Sequence, residues 1–168
     1  MNLDDIPSGS LCVLDTNVLL YAEQALSQQA QRLLRRCATG NLIGVLPQTV
    51  WQELTHKLML AEAMMLEKIS GPNPARKLSQ QPEIVKHLRL YRDKIEALID
   101  LGLGFELCTR EDLLERAFGF QRKYGLLTND SVVLATAVRL EADVLVSADV
   151  AFGKVTELSV AMPSDIHP

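Results

Sequence analysis

Two short runs constrain this chain most: Leu11–Leu14, "LCVL", and Asp143–Ser147, "DVLVS". The first, and the "VLV" within the second, are brief and apolar without alternation, the pattern of a strand buried on both faces. A strand covered on both sides belongs to a parallel sheet. Parallel neighbours need a crossover between them, normally a helix. The intervening sequence supplies such crossovers. The first strand is expected over Ser10–Leu14, others at Leu42–Leu46 and Phe105–Cys108, and a weak fifth around Val155–Leu158. Helices are predicted for Val18–Glu23, for Ser27–Ala38 with Ser27 as N-cap, for Gln48–Lys68, Pro82–Asp100 and Glu111–Lys123, and for residues 128–142. Strands alternating with helices give an α/β fold with a mostly parallel sheet of four to five strands. "SGPNPARKLSQQP", residues 70–82, holds three prolines and a glycine and reads as an exposed, mobile loop between helices.

The 168 residues suit a single domain spanning 1–168, with enough chain to bury a core unaided. No apolar stretch approaches the roughly 20 residues of a bilayer span. The N-terminal "MNLDDIPSGS" is acidic where a signal peptide is basic, so a cytoplasmic protein with no membrane partner is expected. Cys12, Cys37 and Cys108 are scattered and fit buried free thiols better than a disulfide framework or zinc site. His56, His87 and His167 show no ligand spacing either, and read as surface or helix residues. A net charge of −4 argues against a general polyanion-binding surface. It leaves room for local basic faces at Arg32, Arg35 and Arg36, and at Lys86, Arg89, Arg92 and Lys94.

In an open parallel sheet the binding crevice lies beyond the carboxyl ends of the strands, where strand order reverses. Asp15 ends the first strand and Asp149 follows the fourth. Glu53 stands among apolar neighbours in "VWQEL", and Asp130 opens the helix "NDSVVLATA". Each acid also has a structural reading. Asp15 suits a helix cap, Asp149 a turn, Glu53 a solvent-facing helix position, and Asp130 the positive end of a helix dipole. Four acids on one edge, with no Lys or Arg expected beside them, repel one another unless a cation joins them. An all-carboxylate set suits a hard ion, Mg²⁺ or Mn²⁺.

In order along the chain, "VLDTNVLL", "LPQTVWQEL" and "LTNDSVVLATAVRLEADVLVSADVAF" resemble the PIN-domain family, which includes VapC-type toxins and RNA-processing nucleases. The resemblance covers nearly the whole chain and is most specific in its last segment. It implies a three-layer α/β/α fold and a metal-dependent endoribonuclease that leaves a 5′-phosphate and a 3′-hydroxyl, with Mg²⁺ or Mn²⁺ as cofactor. It places the family's acidic quartet on Asp15, Glu53, Asp130 and Asp149. Asp15, Asp130 and Asp149 are then the principal metal ligands, and Glu53 holds a second ion or orients the water. Thr16, Asn17 and Ser147 match positions that support the site. RNA, a cognate antitoxin and a second copy of the chain are the implied partners, the pair with an antitoxin making a type II toxin–antitoxin system. The region Glu62–Glu96 departs from the family, being longer than in its shortest toxins. Two other readings stand beside this one: a non-catalytic PIN-like domain that binds RNA or protein, and a haloacid-dehalogenase-like phosphatase. The phosphatase needs an Asp where this chain has Asn17.

Overall fold

The computed structural model describes residues 1–166; His167 lies outside them, while His56 and His87 are exposed on helices. All strand pairs are parallel. The strands are β1 (Leu11–Leu14), β2 (Ile43–Pro47), β3 (Gly104–Glu106), β4 (Val144–Val146) and β5 (Ser159–Ala161), in the order β3-β2-β1-β4-β5. From β1 the chain builds outward through β2 to β3, then crosses back to add β4 and β5 on the other side. Strand order therefore reverses between β1 and β4, where Leu14 stands opposite Val146. Cys12, Val13 and Leu14 are fully buried, as are Leu145 and Val146, with Val144 nearly so; this is why those runs carry no polar alternation.

The helices are α1 (Thr16–Glu23), α2 (Gln28–Ala38), α3 (Gln48–Met65), α4 (Pro74–Ser79), α5 (Pro82–His87), α6 (Leu90–Asp100), α7 (Ala117–Tyr124) and α8 (Thr128–Arg139). Ser27 caps α2 as expected, its hydroxyl accepting from the Ala30 amide at 3.0 Å. Gly44 in β2 is required by contact, since a Cβ there would meet a Leu103 methyl at 2.6 Å and Cys37 Sγ at 2.9 Å. The core includes Leu14, Leu19, Leu33, Leu54, Leu134, Leu145 and Phe152. Cys12 and Cys37 are buried free thiols, whereas Cys108 is half-buried.

Three expectations need correction and one needs refinement. The proline-rich loop contains α4, whose first residue is Pro74 and whose Leu78 is buried in the core. Proline at a first helical turn loses no hydrogen bond, so prolines here start helices. The expected helix Pro82–Asp100 is two helices, α5 and α6, broken at Leu88 and Arg89. Glu62 of α3 causes the break, accepting from the Arg89 and Tyr91 amides at 2.8 and 2.9 Å. The expected helix Glu111–Lys123 is helical throughout and needs only refinement: its first part is a π-helical turn, Asp112–Arg116, running directly into α7. Finally, the fifth strand lies at Ser159–Ala161, after a 3₁₀ turn at Val150–Lys154.

Candidate active site

Asp15 follows β1 directly and caps α1. Its Oδ1 accepts from the Thr16 amide at 2.7 Å, and its own amide donates to the Val146 carbonyl at 2.9 Å. The end of β1 is thereby fastened to the end of β4. Ser147, fully buried, donates its hydroxyl to Asp15 Oδ2 at 2.7 Å and accepts from the Asp149 amide at 3.0 Å. One small hydroxyl thus spaces two acids across the reversal point. Asp149 in turn caps the 3₁₀ turn, its Oδ1 accepting from the Ala151 amide at 2.8 Å. The cap and turn readings of these two acids are correct as local structure, and they orient the carboxylates toward the same edge.

Asp130 lies in the first turn of α8, a helix whose residues Ser131–Ala137 are all buried. Burial pushes its carboxyl up to about 6, reinforced by the negative charges of Asp15, Asp149 and Glu53. Burial likewise raises Asp15, against the hydrogen bonds from Ser147 and Thr16, with Glu53 and Asp149 adding to the rise. The four acids therefore share one electrostatic environment at the carboxyl edge of the sheet. A carboxylate resists ionisation when buried beside like charges. Thr16 Oγ1, buried beside Asp15, has no hydrogen-bond partner in the protein.

Glu53 differs from the other three. Lys57, one turn later on α3, pairs with its Oε1 at 2.7 Å, which corrects the expectation that no cation stands near the quartet. Asn129 donates to Glu53 Oε2 at 3.3 Å, and Lys57 Nζ also stands 3.5 Å from Asn17 Oδ1. Lys57 and Asn129 are the residues that sequence reasoning missed. The Glu–Lys spacing of four on a helix was the available signal. Among the described residues no three acid, histidine or cysteine side chains stand close enough to enclose one metal ion.

Five of the seven side chains in the two basic segments have partners within the chain. Arg32 grips Asp4 through two bonds of 3.0 and 2.6 Å, and Arg36 binds Asn41 and the carbonyls of Leu3 and Ile6. These arginines fasten the N-terminal segment to α2. Lys86 pairs with Glu83, Lys94 with Glu23, and Arg92 lies over the Tyr91 ring.

The model of the PIN domain family matches residues 12–158, from β1 to the approach of β5. The chain belongs to the PIN domain family. The match displaces the haloacid-dehalogenase-like reading. No curated protein sequence shows significant similarity to the chain. Among solved structures, this PIN domain is similar to a chain of VapBC2 from Rickettsia felis bound to a DNA fragment from its promoter, with a TM-score of 0.58 at 16% identity. That likeness covers 90% of this chain and 98% of the other. A chain of a toxin–antitoxin complex from Klebsiella pneumoniae is similar with a TM-score of 0.59, also at 16% identity, covering 90% of this PIN domain and 97% of that chain. At such identity the likeness is one of fold.

Proposed function

We propose that the chain is a divalent-metal-dependent endoribonuclease, working as one domain in the cytoplasm and serving as the toxin of a type II toxin–antitoxin pair. The observation that carries the reading is the strand-order reversal itself, where buried Ser147 links the Asp15 carboxylate to the Asp149 amide and where burial and the other acids raise the Asp130 carboxyl. A fold that gathers mutually repelling carboxylates at its strand-order reversal is suited to a cation and to a ligand that needs one. Family membership supports nuclease chemistry, and the fold shared with chains of toxin–antitoxin complexes supports a cognate antitoxin as partner.

The donor set fits Mg²⁺ or Mn²⁺. It is oxygen-only, and such ions are held by one or two carboxylates while retaining several waters, which suits acids that do not enclose an ion by themselves. Asp15, Asp130 and Asp149 would hold the ion, directly or through water. When bound, the ion activates a water and offsets the charge of the phosphodiester. Ser147 keeps Asp15 and Asp149 apart and aimed, while Thr16 and the α1 cap fix the Asp15 rotamer. Asn17 and Glu53 line the α3 side of the site through Lys57.

A mixed RNA pool tests the reading. Cleavage is expected with Mn²⁺ or Mg²⁺ and is lost in excess EDTA. Equal cleavage in chelator overturns metal dependence, and binding without cleavage in either metal returns the chain to a non-catalytic RNA-binding domain. A small gene immediately upstream, encoding a DNA-binding protein whose co-expression silences the cleavage, identifies the antitoxin.

A further inference from the structure

The site carries a cation of its own. Lys57 Nζ lies 2.7 Å from Glu53 Oε1 and 3.5 Å from Asn17 Oδ1, so it ties α3 to the start of α1. An i, i+4 pair on one helix is ordinary; the reach across to Asn17 is what sets this one apart. Asn129 of α8 takes the other oxygen of Glu53. Both Glu53 oxygens are therefore engaged by protein donors. Among the described residues, Asp15, Asp130 and Asp149 have no Lys or Arg partner.

An ammonium and a divalent ion compete for the same carboxylate lone pairs. An ion at Glu53 would have to displace Lys57 Nζ, which the helix keeps within one turn of the same carboxylate. Two cations held that close repel each other.

We propose, on the basis of the metal-dependent reading above, that Lys57 is the second cation of this site. It fills the position at Glu53 that a second divalent ion would take, and the chain binds one divalent ion, held at Asp15, Asp130 and Asp149 directly or through water. Glu53 then serves to position Lys57 and is not a metal ligand. An ammonium has three N–H donors. Two are directed to Glu53 and Asn17, and with the side chain 41% exposed the third is open to solvent at the rim of the acid cluster, where an RNA phosphate oxygen can accept it.

Calorimetric titration of the metal-free full chain with MnCl₂ tests this. Wild type is expected to take up one ion, Lys57→Arg one, and Lys57→Met two, with the second Mn²⁺ visible as spin coupling in the electron paramagnetic resonance spectrum. Two ions in the wild type overturn the inference alone, as does a folded Lys57→Met that still takes one. No uptake by the wild type overturns the metal-dependent reading and this inference together. Two ions in the wild type or in Lys57→Arg overturn the inference even where Lys57→Met does not fold.

Discussion

Asp130 shows how one residue carries opposing demands. At the N-terminal turn of a helix a carboxylate gains about 0.3–1 kcal/mol from the helix dipole. Yet burial and three neighbouring acids push its carboxyl to about 6, so in the metal-free protein desolvation, reinforced by repulsion, outweighs the dipole. A raised folded-state value means that the folded chain holds the proton more tightly than the unfolded chain. The contribution of Asp130 to metal-free stability therefore falls as pH rises from about 4 through 6, and its cost is fully present at pH 7.5. Asp130→Asn removes the charge. Its metal-free melting temperature is expected to exceed that of wild type at pH 7.5, with the difference shrinking toward zero at pH 4. Thermal melts in EDTA across that range check this, and a difference independent of pH assigns Asp130 a packing role instead. At pH 7.5 the same variant is expected to lose most of the stabilisation that Mn²⁺ gives the wild type, since binding to the folded state alone is what stabilises.

Among the elements, the α3–α6 junction is the clearest case of a helix boundary decided at a distance. Nothing local to Leu88 and Arg89 stops a helix, and the run Pro82–Asp100 reads as continuous. Glu62, buried at 6% exposure on α3, accepts the amides of Arg89 and Tyr91 and so starts a new helix at Leu90. Burial opposes its ionisation, but those amides, with that of Leu90 and the charge of Lys94, outweigh it and hold the carboxyl below the usual range. Its contribution is present at neutral pH and is lost as pH falls through that lowered value. Glu62→Ala leaves buried amides unpaired and is expected to destabilise the chain by about 1–3 kcal/mol, read as a lower urea midpoint at pH 7. A midpoint within error of wild type would mean that α5 and α6 are set by their own sequences.

For the whole molecule, the sheet ends at β3 on one side, paired only with β2. Beside it Trp51 meets Phe105 edge-on at 6.2 Å, and a hollow of about 310 Å³ is lined by these two with Leu46, Ile99, Leu103 and Gly104. Ile99, Phe105 and Leu107 are each more than half exposed. Exposed sheet edges with apolar flanks are ordinarily covered. The chain is expected to form a homodimer, and light scattering at micromolar concentration should give twice the 18.6 kDa chain mass. A monomer mass would reject the dimer. No helix among the described residues is long and apolar enough to cross a membrane.

The parallel sheet and its crossovers follow from sequence alone, because they rest on local signals: unbroken apolar strands and caps. Asp15 and Asp149 are visible as acids at or past strand ends, and the resemblance joins Glu53 and Asp130 to them. Ser147 is reached through the family resemblance, which places a small hydroxyl at that position. Lys57 stood four residues from Glu53, but whether a lysine folds back onto its glutamate or points to solvent depends on what lies opposite, and here that is Asn17 from another helix. The partners of the basic clusters are hidden in the same way: charge is visible in sequence, whereas Asp4 beside Arg32 is a contact between segments 28 residues apart. The π-helical turn and the split of α5 from α6 likewise depend on partners distant in the chain, Arg139 on buried Asp112 and Glu62 on the Arg89 and Tyr91 amides. Local hydrogen bonding and burial pattern are written in consecutive residues. The choice of partner for a buried charge is made only when separate segments are packed together, since that is where the desolvation of each charge must be offset.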